Sequence, residues 1–97
     1  MPLTLDRLLG LLAATSGDLE AAATHFEAGL AFCERAAYGP ERALTGYDYA
    51  EARRRRAGPG DATKAAELEE TALAAAREFG MQRLVERLLS RRDATQP

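Results

Sequence analysis

Any chemistry done by this chain of 97 residues would have to start from few side chains. There is one histidine, His25, and one cysteine, Cys33. Eight residues separate them on one expected helix, which puts them on similar faces about 12 Å apart along its axis. A metal site needs ligands converging within ~2.0–2.3 Å, and no second histidine or cysteine exists to complete a set. A Cys–His nucleophile pair needs direct contact and a third group to orient the base, and two helical turns of separation deny it. The carboxylates Glu67, Glu69 and Glu70 cluster, but on an exposed helix such a cluster reads as a solvated face. Gly58-Pro59-Gly60 lacks the downstream Gly-Lys-Ser/Thr of a phosphate loop. The expectation is a protein that is not an enzyme, with no cofactor and no metal.

The most conspicuous feature is the run Arg53-Arg54-Arg55-Arg56. In the last turns of a helix, positive charge complements the helix dipole. Four successive residues also spread around the whole circumference and form no single patch. The alternative is a stripe of Tyr49, Arg53 and Arg56, lined up opposite Tyr47 and facing an acidic partner. Tyrosine and arginine are enriched at binding hot spots. Nucleic acid is the weaker partner, because the net charge is −2 and the rest of the chain is acidic.

The elements that position these residues are helical. Alanine dominates the apolar set, as in Ala21-Ala22-Ala23 and Ala74-Ala75-Ala76, and it is the best helix former. Val85 is the only valine and there is no isoleucine, so strands have little to build from. Periodicity predicts five helices, near residues 3–14, 19–37, 41–57, 62–79 and 81–92. The first places Leu5, Leu8, Leu9 and Leu12 on an inner face. The second does so with Ala22, Phe26, Gly29, Leu30 and Cys33, and the third with Ala43, Leu44, Tyr47 and Ala50. The fourth uses Ala65, Leu68, Ala72, Leu73 and Ala76; the fifth uses Met81, Leu84, Val85, Leu88 and Leu89. Asp18 and Asp61 read as N-caps of the second and fourth helices, and Gly80 closes the fourth. Residues 93–97 read as a frayed tail, leaving 1–92 as one domain.

The hairpins repeat. Gly17-Asp18 recurs 43 residues later as Gly60-Asp61, and Leu30 recurs as Leu73. The second helix carries Ala22-xxx-Phe26-xx-Gly29, and the first carries Leu9-Gly10 at the matching distance upstream. At these residues the chain resembles tetratricopeptide repeats, in which small residues let the two helices of a hairpin touch and a large one fills the gap to the next repeat. The period exceeds the family's ~34 residues, and Glu69 stands where Phe26 would recur. The longer period, with phrases such as Asp48-Tyr49-Ala50, is similar to repeat arrays near the C-termini of bacterial ATP-binding transcriptional regulators and nucleotide cyclases. The resemblance implies an all-α fold of antiparallel helix hairpins stacked as a short solenoid. It also implies a signalling scaffold that docks a peptide or helix of a partner protein on its concave face, which the first helix of each hairpin lines. Arg53 and Arg54 stand where such arrays are usually apolar; either the helix end is exposed or they meet acids, with Glu67 and Glu69 as candidates.

The two ends of such a stack differ. The last helix turns Gln82, Arg83, Glu86, Arg87 and Ser90 outward, a polar cap. The first places Leu3 and Leu11 away from its inner leucines. This surface is expected to meet an upstream repeat or the same helix of a second copy, so the alternative function is a homodimer formed through the first helix. The N-terminus carries charges where a signal peptide would be apolar, no stretch reaches the ~18–20 apolar residues of a membrane span, and a lone cysteine fits a reducing compartment. The expected location is the cytoplasm, with no membrane partner.

Overall fold

Alanine-rich segments broken by Gly-Asp and Gly-Pro turns leave the chain no regular structure but helices. The computed structural model describes the backbone of residues 2–36 and 39–95 and the side chains of 5–33 and 39–94. All five elements among the described residues are helices: α1 (Pro2–Thr15), α2 (Leu19–Ala36), α3 (Gly39–Arg56), α4 (Asp61–Glu78) and α5 (Gln82–Thr95). The fifth helix continues to Thr95, past the frayed tail expected from position 93.

Neighbours in sequence are neighbours in space. α1 packs on α2, α2 on α3, α3 on α4 and α4 on α5, and α1 also touches α3. Short connections make successive helices run antiparallel. The close approaches agree: Gly10 faces Phe26 while Gly29 faces Asp6, and Gly29 also meets Thr45 where Phe26 meets Tyr49.

Two apolar clusters hold the stack. One joins Ala14, Ala22 and Phe26 to Tyr49, Ala50, Ala65 and Leu68. The other joins Ala43 to Ala72, Leu73, Ala76, Leu84, Val85 and Leu88. The inner faces expected for α2, α4 and α5 are the buried or partly buried ones. The first cluster turns on the pair Phe26 and Gly10. A β-carbon at position 10 would lie 2.7 Å from the Phe26 ring, so only glycine lets the aromatic ring lie flat on α1. α3 lies between α2 and α4 and buries more than its expected stripe: Thr45, Gly46, Tyr49 and Ala52 are also out of solvent.

The inner face of α1 is a correction. Leu5, Leu8 and Leu12 are 57%, 50% and 66% exposed. The side turned to α2 carries Gly10 and Ala14, with Leu11 and Ala13 packed beside them. The leucine stripe is the louder hydrophobic signal, but its bulk cannot fit where Phe26 demands a bare backbone. α1 is therefore rotated so that the three leucines point away from the core.

Candidate protein-interaction surfaces

The arginine run ends α3, and the chain then turns through Gly58-Pro59-Gly60 into α4. Asp61 opens that helix with 1% of its surface exposed. Its carboxylate accepts the Gly58 N–H at 2.8 Å, Arg53 Nη1 at 2.9 Å, and Arg56 through Nε at 3.0 Å and Nη2 at 2.8 Å. The bonds from Arg56, then those from Gly58 and Arg53, outweigh burial and hold the carboxyl well below the usual carboxylate range. Arg56 also reaches Glu20 of α2 at 2.7 Å. Asp61 is thus not the expected N-cap. Gly60 takes that position without a side-chain bond to the helix, and the Asp61 carboxylate turns back to α3. Charge-assisted bonds from two guanidinium groups are stronger than a neutral cap bond.

Tyr49, Arg53 and Arg56 do gather, but their polar groups are taken up inside the chain: Arg53 bonds the Tyr49 hydroxyl, and Arg53 and Arg56 both bond Asp61. The expected stripe put Tyr49 on the surface; its ring is 0% exposed and stacks on Phe26 with centroids 5.7 Å apart. Its hydroxyl donates to Glu27 Oε2 at 2.6 Å and accepts from Arg53 Nη2 at 2.8 Å. Burial, followed by the bond to Glu27, pushes the phenol above its ordinary value. Aromatic identity misled here: a tyrosine beside arginines looks like a hot spot, while Phe26 across the α2–α3 seam makes it core.

Arg54 meets an acid that the sequence named. It grips Glu69 with two bonds of 3.1 and 2.6 Å, and Arg91 of α5 adds a third at 3.1 Å. Although burial opposes it, those bonds from Arg54 and Arg91 keep the Glu69 carboxyl below its ordinary value. The position where Phe26 would recur therefore holds an ion cluster joining α3, α4 and α5. Arg91 also lies over the Tyr47 ring at 4.0 Å. Within the run only Arg55 is exposed, so most of the charge that suggested nucleic acid is matched by carboxylates inside the chain.

The outer side of α1 is different. Leu5, Leu8 and Leu12 lie on one face over about 10 Å of helix, and among the described residues of α1 no acid or base shares that face. Leu11, expected to face outward with Leu3, is partly buried against the first cluster. The side chain of Leu3 lies outside the described residues. The surface-forming leucines are thus 5, 8 and 12. Their 3- and 4-residue spacing is visible in the sequence, but by hydrophobicity alone it predicts the inner face.

A third feature had no sequence signal. Between α2 and α4, floored by α3, lies a half-open groove with a cavity of about 300 Å³. Cys33 is buried elsewhere; burial, then the charge of Glu41, pushes its thiol up, which makes it a poor nucleophile. His25 is partly exposed on the same helix. Among the described residues no helix is long and apolar enough to cross a membrane. No protein-family model, curated protein or solved structure matches the chain.

Proposed function

We propose that this chain is a protein-binding scaffold of the tetratricopeptide type, which docks a helix of a partner protein and performs no catalysis. The observation that carries this reading is the outer face of α1, where Leu5, Leu8 and Leu12 stand at least half exposed with no charge between them. Burying apolar surface stabilises by about 25 cal/mol per Å², so three leucines give up several kcal/mol by staying in water. Leucines spaced three and four residues apart are how one helix meets another. The in-order packing of the helices and the Gly10–Phe26 contact also support the repeat-type scaffold. Tyr49, Arg53 and Arg56 are engaged with each other and with Asp61 and Glu27, which moves the docking surface to α1.

The second reading, self-association, is favoured by the same face. An uncharged stripe is complementary to a copy of itself, because no like charges meet across it. Site-specific photocrosslinking in cells separates the two. A crosslinker replacing Leu8 is expected to trap one defined protein or a second copy, told apart by mass, and Leu12→Glu is expected to abolish the adduct while helicity is kept. A crosslinker replacing Glu86, on the outer side of α5, is the control. No adduct from position 8, or the same set from both positions, sinks both readings.

A further inference from the structure

Arginines in this fold follow a rule with one exception. Among the described residues, every partly buried arginine but one has a carboxylate within 4 Å: Arg7 has Asp48, Arg53 and Arg56 share Asp61, Arg54 and Arg91 share Glu69, and Arg92 has Glu70. Arg55, Arg77, Arg83 and Arg87 are exposed, where water solvates the charge. Arg42 is the exception. It is partly buried, it pairs with no carboxylate among the described residues, and its Nε is shut away from solvent with no acceptor. That buried Nε lies out of a ligand's reach, but the outer nitrogens of the guanidinium also lack a carboxylate among the described residues, and a guanidinium fork is shaped for a carboxylate or phosphate.

Arg42 lines the groove between α2 and α4. The floor is Ala43 and Gly46 of α3, and the apolar walls are Leu30 of α2 with Leu68 and Ala72 of α4. Gly46 lies close to Ala72 and the Leu68 carbonyl, so α3 comes near α4 and leaves the space on the α2 side. The lining runs along α4 from Lys64 to Ala75, about 16 Å. At the Lys64 end, Glu27 already accepts from Tyr49 and lies 3.9 Å from Lys64, while Glu67 is exposed. A cavity of about 300 Å³ is at the small end of ligand sites, which are apolar with a few placed polar groups.

We propose that this groove binds a small monocarboxylate with an apolar body, its carboxylate on Arg42 and its hydrocarbon over Ala43 and Gly46 between Leu30, Leu68 and Ala72. A monoanion fits better than a phosphate dianion. Arg42 is a single cation, and Glu41 beside it and Glu27 and Glu67 along the groove repel a second negative charge. The site is separate from the α1 face and stands whether or not that face docks a helix.

Octanoate is the probe, titrated into the purified chain by calorimetry, with octanamide as its uncharged match. Octanoate is expected to bind at least about tenfold more tightly than octanamide, the scale of one hydrogen bond to a charged group. Arg42→Gln is expected to erase that preference and Arg42→Lys to keep part of it. Leu8→Glu, on the exposed face of α1 and not among the groove's lining residues, is expected to leave octanoate binding unchanged, which separates the groove from the leucine face. The comparison of the two ligands on the unaltered chain needs no variant to fold. Equal affinity for octanoate and octanamide, no heat at millimolar octanoate, or binding lost in Leu8→Glu and kept in Arg42→Gln overturns the proposal.

Discussion

The same dipeptide, Gly-Asp, closes both the α1–α2 and the α3–α4 hairpins, and the two copies behave differently. In each, the glycine sits at positive φ, +89° at Gly17 and +80° at Gly60. Asp18 is exposed and does what a helix-opening aspartate is expected to do: its Oδ1 accepts the Ala21 N–H at 3.1 Å. Asp61 is buried and binds no N–H of its own helix; it ties Arg53, Arg56 and Gly58 together. The difference comes from the preceding helix. α1 ends Leu12-Ala13-Ala14-Thr15, with no cation to attract a carboxylate, whereas α3 ends in four arginines. A capping residue is thus chosen by competition between the orphan N–H groups of the helix it opens and the charges of the helix it follows.

The largest effect expected from this contrast is on stability. Asp18→Ala removes one exposed cap bond, worth about 1 kcal/mol, or about 4–8 °C in Tm for a domain of this size. Asp61→Ala leaves the partly buried guanidinium groups of Arg53 and Arg56 without their shared, buried acid. Removing one partner of a buried ion pair costs far more than removing a surface contact, so the fall in Tm should be at least about threefold that of Asp18→Ala. Thermal melts followed by circular dichroism measure both. Equal shifts would mean that the Asp61 cluster is solvated and adds no more than an ordinary cap.

Acid provides a smaller test of the same difference. Asp61 and Glu69 are held ionised by their arginines, so their folded-state pKa values lie below the unfolded ones. The stabilisation they contribute is complete above the unfolded carboxylate values, near 4, and is lost as pH falls further and the folded chain resists protonation that the unfolded chain accepts. Asp48 acts the other way: burial, only partly offset by the bond from Arg7, raises its carboxyl, so its ionisation detracts at neutral pH and acid relieves it. Urea midpoints measured between pH 5 and pH 3 should fall, and fall less steeply in Asp61→Asn than in the unaltered chain. Parallel slopes would place the acid-sensitive groups elsewhere.

Much of the architecture was legible in the sequence because it rests on period and punctuation. Five helices, their turns and the buried faces of α2, α4 and α5 follow from apolar spacing and from Gly-Asp and Gly-Pro breaks. The Arg54–Glu69 pair was legible as well, since both residues are charged at positions where a repeat would bury apolar groups. What was not legible depended on contacts across helices. The outward turn of Leu5, Leu8 and Leu12 is decided by Phe26 pressing on Gly10, and hydrophobicity alone points the wrong way. Tyr49 is drawn inward by the same Phe26. Arg42 becomes notable only when every other partly buried arginine among the described residues is seen to have an acid beside it, a relation carried by no local motif.

The smallest effect concerns how each hairpin leaves its first helix. α1 closes on Gly17 in the left-handed region, with the Asp18 N–H donating to Ala13 O at 2.9 Å and the Gly17 N–H to Ala14 O at 3.1 Å. This is the usual role of glycine after a helix. α3 closes on Ala57 at φ +54°, its N–H donating to Arg53 O at 3.1 Å. An L-residue in that region costs roughly 1–2 kcal/mol. Against that, glycine loses more freedom on folding than alanine, by roughly 0.5–1 kcal/mol. Ala57 is exposed, so its methyl group adds no packing that would be missed. Ala57→Gly should therefore stabilise the chain by about 0.5–1 kcal/mol, a rise in Tm of about 2–8 °C. A drop in Tm would mean that the stiffness of Ala57 helps hold Arg53 and Arg56 on Asp61, and that the second junction depends on its backbone as well as its charges.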